Sequence, residues 1–228
     1  MIYIVKEKEP RSLKEYKNDS SVRCYEGDVW ENGPALANGL TLSMVKKDVR
    51  EALYREQHGL CAYCLRSISL EESKIEHFLP RSRCPEKTLD YHNLLLCCPG
   101  RCRDNELTCD TRKHNNLLKQ VFNPADPKRD IENFVSYAPP GDSSLLWAGK
   151  SEPDDDINQH LNLNCKSLKY NREQIWRSFF LMLARRYKNV NNLSIKKELV
   201  HLRESDNPTW TPYVGYISFR LAHLRHDS

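Results

Sequence analysis

Apolar residues recur at helical spacing in the stretch that follows Ser43: Val45, Val49, Ala52 and Leu53 mark one face. Ser43 suits an N-cap and Gly59 a left-handed stop, so the pattern predicts a helix over 44–58. The periodicity then shortens. Residues 61–78 read as a tight knuckle leading into a strand that ends at Ile75, Glu76 and His77. Pro80 has no N–H to give a ladder and closes that strand. The stretch 82–96 supplies a connecting loop and a second strand, with Leu94, Leu95 and Leu96 packed beneath whatever the first strand carries. A helix is expected to begin near Asp110 and to run through Leu117 and Leu118. Asn123-Pro124 and Asp126-Pro127 then end the unit.

The flanks are less patterned. Tyr3, Ile4 and Val5 suit a short edge strand, the following Lys/Glu/Pro-rich run reads as a loop, and 30–39 is rich in turn formers. Residues 126–156 carry eight acids against three bases, with Pro139-Pro140-Gly141 and Asp154-Asp155-Asp156, and read as an irregular connector holding a short hairpin. Beyond it, Ile175, Trp176, Phe179, Phe180 and Leu183 form a stripe that predicts a helix from Asn171. Two more helices are predicted at 194–204 and 212–225, the latter opening on Thr211 as N-cap and Pro212 at its first position. The expected fold is α+β and mostly helical: an N-terminal segment (1–43), a ββα core (44–124), an acidic connector (125–165) and a C-terminal helical region (166–228). There is no internal repeat.

Composition narrows the setting. Only 39% of the 228 residues are apolar, no run reaches membrane-spanning length, and the first residues lack a signal-peptide core. A cytoplasmic protein without membrane contact is expected, and in that setting nine cysteines point to metal binding and free thiols over disulfides. The net charge of +4 is modest, yet 166–203 holds ten Lys/Arg against Glu173 and Glu198 alone. Arg185, Arg186 and Lys188, followed by Lys196 and Lys197, form either a phosphate-tracking patch or a solvated helix face, at even weight.

The chemistry concentrates between Cys61 and Asn116. Cys61 and Cys64 have the bite that a tetrahedral zinc requires, and Cys98 and Cys109 can close the site, with Cys102 as an alternative to either. No βαβ pattern surrounds the Cys-x-x-Cys pair, which argues against a redox motif. Cys24, Cys84, Cys97 and Cys165 read as plain thiols. Between the cysteine pairs stands Glu76-His77, an acid and an imidazole that together can hold a divalent cation and activate a water.

The order of these pieces resembles the HNH endonuclease motif: a Cys pair, Glu76-His77 followed by Pro80, Asn93-Leu94 reaching Cys98, then Cys109, Asp110, Thr111, Arg112 and Lys113. Two departures stand out. Asp110 occupies a position where His or Asn is usual, and the interval from Cys98 to Cys109 is longer than the pattern's. The resemblance implies a zinc-stapled ββα-metal core in which His77 is the general base. Glu76 and Asp110 would hold one Mg²⁺ or Mn²⁺, Asn93 would orient His77, and Arg112 and Lys113 would contact phosphate. Four thiolates leave zinc no open position, so its role there is structural. More narrowly, EQHGLCAYC, IEHFLPRS, YHNLLLCC, CDTRKHN, NPADP and LNLN (161–164) are similar to the Septu and retron-associated HNH nucleases, the PtuB family. That likeness implies an antiphage effector cutting nucleic acid, DNA first. Its implied partners are an ABC/SMC-like ATPase of the PtuA type and, in retrons, a reverse transcriptase with its msDNA. The alternatives are an RNase of the same fold, acting on cellular RNA such as tRNA, and a zinc-ribbon binding module without activity.

Overall fold

A computed structural model describes residues 1–23, 29–102, 105–139, 141–148, 155–187, 190–203 and 209–224; Cys24, Lys188 and the far ends expected for the last two helices lie outside them. The first residues run through the interior. Ile2 and Ile4 are buried and the Ile4 N–H donates to Pro124 O at 3.0 Å, one bond in place of a ladder, so the strand expected at Tyr3 to Val5 does not form. The polar run read as a loop is instead helix α1 (Arg11–Asn18). Only Leu13 and Tyr16 of α1 face inward, too few apolar positions for periodicity to show. A single turn, α2 (Val29–Asn32), buries Trp30.

Helix α3 (Leu42–Glu56) packs on α1. It starts before the expected residue because Thr41, not Ser43, caps it, accepting the Met44 N–H at 3.4 Å. Gly59 sits at φ +69 as expected of a stop, and its N–H returns to Tyr54 O at 3.0 Å. Strand β1 (Lys74–His77) pairs antiparallel with β2 (Leu94–Cys97), setting His77 opposite Leu94 and Lys74 opposite Cys97. Leu94, Leu95 and Leu96 are fully buried. The Gln57 side chain, just past α3, binds Leu96 through both N–H and C=O (2.7 Å each), joining α3 to the hairpin.

Helix α4 (Cys109–Lys113) completes a ββα unit but is one turn long. It stops at His114 (φ 51) instead of reaching Leu118. The Asn116 side chain and N–H both take Lys113 O (2.9 and 3.0 Å), so a local Asn turn outcompetes further helix, and Leu117 is left exposed. The connector holds the expected hairpin, β3 (Val135–Tyr137) against β4 (Leu145–Trp147). Helix α5 (Lys166–Arg186) begins ahead of Asn171 because Leu168 and Arg172 already face inward. Helix α6 (Asn192–His201) carries a capping box from Asn191 and Ser194. Helix α7 (Val214–His223) follows Tyr213 at φ 58, with Thr211 two residues outside the cap. Helix α7 packs against α5, α6 and β3. No described helix is long and apolar enough to cross a membrane.

Part of the basic stretch at 166–203 is committed to the fold, while Arg185, Lys196 and Lys197 are exposed and in no ion pair among the described residues. Buried Arg172 donates to Ser143 O (2.8 Å) and Leu163 O (2.9 Å). Lys169 pairs with Asp142, Arg186 with Glu198 and Arg203 with Glu132.

Candidate active site and thiolate cluster

The thiolate cluster starts in the turn after α3. Cys61 N–H binds Arg66 O (2.9 Å), Leu65 N–H binds Cys61 O (3.0 Å), and Leu65 adopts φ 61, so both thiols of the pair point to one side. Cys98 directly follows β2. Cys109 opens α4 at φ 54, held there by its N–H to Leu161 O at 2.8 Å. All four are buried, and their sulfurs lie within 4.8 Å of one another. Sγ separations of 3.8 Å join Cys61 to Cys109, Cys64 to Cys98 and Cys98 to Cys109. A tetrahedron with bonds of about 2.3 Å has edges of about 3.8 Å, so the donor set fits zinc. The Arg66 guanidinium stands 3.1 Å from Cys98 Sγ, offsetting thiolate charge. Cys102 is outside the four. Its sulfur lies 3.7 Å from that of Cys165, across the fold.

A second cluster borders the first. Glu76 and His77, at the end of β1, are both buried. Glu76 Oε1 receives the Tyr63 hydroxyl (2.9 Å) and the Lys113 ammonium (2.7 Å), which also reaches His77 O at 3.2 Å. Lys113 has no exposed surface and serves as the counter-ion of Glu76, which corrects the expectation that it meets phosphate. Arg112 is exposed, its Nε donates to Gln159 O (3.0 Å), and it is not among the residues that line the cleft. Asp110, half-buried, brings its carboxyl beside that of Glu76. Burial first, and then the Asp110 carboxyl, hold Glu76 well above the usual carboxylate range against the pull of Lys113. Two carboxyls this close favour a shared proton or a bound cation. The cleft they open into, about 320 Å³, is also lined by Lys74, Arg81 and His114.

His77 is set from behind. Its Nε2 lies 3.0 Å from Thr88 O, an acceptor, so Nε2 carries the proton and Nδ1 is the basic nitrogen. The Trp30 ring meets the imidazole edge-on at 4.7 Å between centroids. Burial pushes the imidazole down to about 4, which keeps it neutral. His77 is thus an enclosed base at the end of β1. Asn93 accepts the Leu79 N–H (2.7 Å) and donates to Leu79 O (3.0 Å) and Lys87 O (3.1 Å), closing the loop that brings Thr88 to His77.

Several residues of the site were given no role by the motif, although Tyr63 and Leu161 lie within quoted segments. Tyr63 stands inside the Cys-x-x-Cys turn, where its position between ligands was the available signal. Trp30, Thr88 and Leu161 reach the site only through tertiary contact. The LNLN segment acts as a brace: Leu161 O holds Cys109, and Asn162 Nδ2 donates to Leu107 O at 3.0 Å.

No family model matches the chain. Over 101 residues it is 35% identical to the "Retron Vc95 putative HNH endonuclease" of Vibrio cholerae serotype O1 biovar El Tor, covering 40% of this chain and 48% of that protein. The likeness supports the HNH endonuclease family. The chain spans about half the length of the curated relative it matches.

Proposed function

We propose that this chain is a metal-dependent HNH endonuclease that hydrolyses phosphodiester bonds in DNA. The observation that carries the reading is the convergence of the Glu76 and Asp110 carboxyls with the basic face of neutral His77 in one polar cleft, beside a four-cysteine cluster. Cys61, Cys64, Cys98 and Cys109 would hold a structural zinc, and Glu76 and Asp110 one Mg²⁺ or Mn²⁺, whose charge polarises the phosphate and stabilises the leaving oxygen. The protein's own steps follow from its geometry. His77 takes the proton of the attacking water at Nδ1, while Thr88 O retains the proton on Nε2. Lys113 and Tyr63 fix Glu76, and Asn93 holds the loop that positions Thr88. Lys74, Arg81 and His114 line the cleft where a phosphate would enter.

Metal-dependent nicking of supercoiled plasmid, compared with cleavage of total RNA, tests both the activity and the choice of DNA. His77→Ala should slow nicking by about 10²–10⁴-fold with zinc content unchanged. Nicking at the wild-type rate would remove His77 from the mechanism.

The retron name of the relative supports a wider setting: a PtuB-type antiphage effector bound to an ABC/SMC-like ATPase and, in retrons, to a reverse transcriptase with its msDNA. Co-expression with neighbouring genes followed by size exclusion with light scattering tests it. A chain that elutes alone and cuts at full rate overturns the partner reading.

A further inference from the structure

A second, larger cleft, of about 660 Å³, is walled in part by residues 90–92, which closely follow Thr88. One wall is α1 and the residues before it, bringing Lys6, Lys8, Arg11, Lys14 and Lys17. The other is Asp90, Tyr91 and His92. Acids line it too, but two of them are engaged within the fold. Glu9 pairs with Lys17 at 2.5 Å, and Asp90 pairs with Lys87 at 2.9 Å while accepting the His92 N–H. Lys6 is spent as well, buried against Glu56 (3.3 Å) and Leu94 O (2.7 Å). Lys8, Arg11 and Lys14 remain exposed, with no acid partner among the described residues, against Glu7 as the one lining acid in no ion pair. From these groups we infer that the cleft binds the phosphodiester backbone of the nucleic acid whose cleavage is proposed above, on which reading the inference rests.

Helix α1 adds an independent argument. Its first turn holds Arg11 and no acid, and Pro10 gives it no side-chain cap, so N–H groups at the helix start stay free of capping partners. Cations at a helix N-terminus oppose the macrodipole, at a typical cost of about 0.3–1 kcal/mol each, and an anion there reverses the sign. Arg11 and Lys14 stand where they destabilise the isolated helix and stabilise a bound phosphate.

The cleft is also placed to share a substrate with the reaction site. Thr88, whose carbonyl holds His77, is four residues from His92 in the cleft wall. Four residues span at most about 14 Å, roughly four 3.4 Å steps along one strand of a duplex. The cleft therefore takes phosphates a few nucleotides from the scissile bond. It positions the strand and reads no base.

The test is a Lys8→Ala/Arg11→Ala/Lys14→Ala variant of the full chain, none of whose changes touches the reaction site. Binding of a short fluorescein-labelled DNA duplex is measured by anisotropy in a His77→Ala background, across about 50–200 mM salt. Neutralising three phosphate contacts should cut affinity about tenfold or more and reduce the slope of log K against log salt by about 2.7. Hydrolysis of bis(p-nitrophenyl) phosphate, too small to reach the cleft, should be unchanged in the triple variant with His77 intact. Its thermal midpoint should match that of the parent. Unchanged affinity and slope overturn the cleft while leaving the nuclease standing. A parent that binds the duplex but hydrolyses neither substrate sinks the nuclease reading and leaves the cleft. If duplex binding is unaltered and the co-expressed ATPase no longer co-purifies, the cleft docks protein, and the inference fails.

Discussion

The thiolate cluster and the carboxylate cleft are neighbours that share helix α4, yet they are opposite kinds of site. Cys109 belongs to the first and Asp110, the next residue, to the second. The cysteine site is closed: four buried sulfurs at tetrahedral separations leave no place for a substrate. The cleft is open on one side, its donors are oxygens, and one of them, Asp110, reaches solvent. Soft, saturated ligation suits a staple, and hard, unsaturated ligation suits a cation that must share its coordination with water and phosphate. On the proposed reading a single short helix gains its rigidity from one site and delivers reactivity at the other.

The sharpest way to break this division is at the cysteines. Chelating zinc, or Cys98→Ala, should unfold the ββα unit and abolish activity, because structural zinc contributes about 10–16 kcal/mol of apparent binding free energy to folding. Cys102→Ala should leave one zinc per chain, by metal analysis and thermal melting. Zinc lost with Cys102 and kept without Cys98 would reverse the assignment.

Next in size is the buried ion pair of the second cluster. Lys113 and Glu76 are both buried, so Lys113→Met strands a carboxylate. Such a loss typically costs about 3–5 kcal/mol, readable in urea melts with zinc still bound. A change under about 1 kcal/mol would mean that Glu76 is held protonated by Asp110 and hardly needs the ammonium.

The mildest probe concerns Asp110. Asp110→Ala should weaken Mg²⁺ or Mn²⁺ dependence by roughly 10–100-fold, the range reached when groups supporting a metal ligand are removed. Asp110→Asn keeps one coordinating oxygen and should retain partial activity. An unchanged metal titration in Asp110→Ala would move the ligand to His114 or Asn115.

The β-hairpin and the cysteine spacing were legible because both depend on local order: alternation, a Pro stop, and ligands a few residues apart. The limits of α4 were not, since they depend on Asn116 competing for Lys113 O. The part of Lys113 could be anticipated only as a positive charge near the motif; its burial, which makes it a counter-ion, is a tertiary fact. Helix α1 stayed hidden because Leu13 and Tyr16 are its whole inward face. The basic stretch was legible only in part, for the converse reason. Composition counts charges but does not see that Arg172, Arg186 and Arg203 already have partners.

The bond from Cys109 N–H to Leu161 O has a mechanical meaning. Leu161 belongs to the chain that leads into α5, and Asp110 follows the residue it grips, so the C-terminal region holds a lever arm whose short end is the proposed metal ligand. The N–H to O contact is the fulcrum. A displacement of Leu161 would therefore be felt at Asp110, one residue from the grip, without contact between α5 and the carboxyl pair.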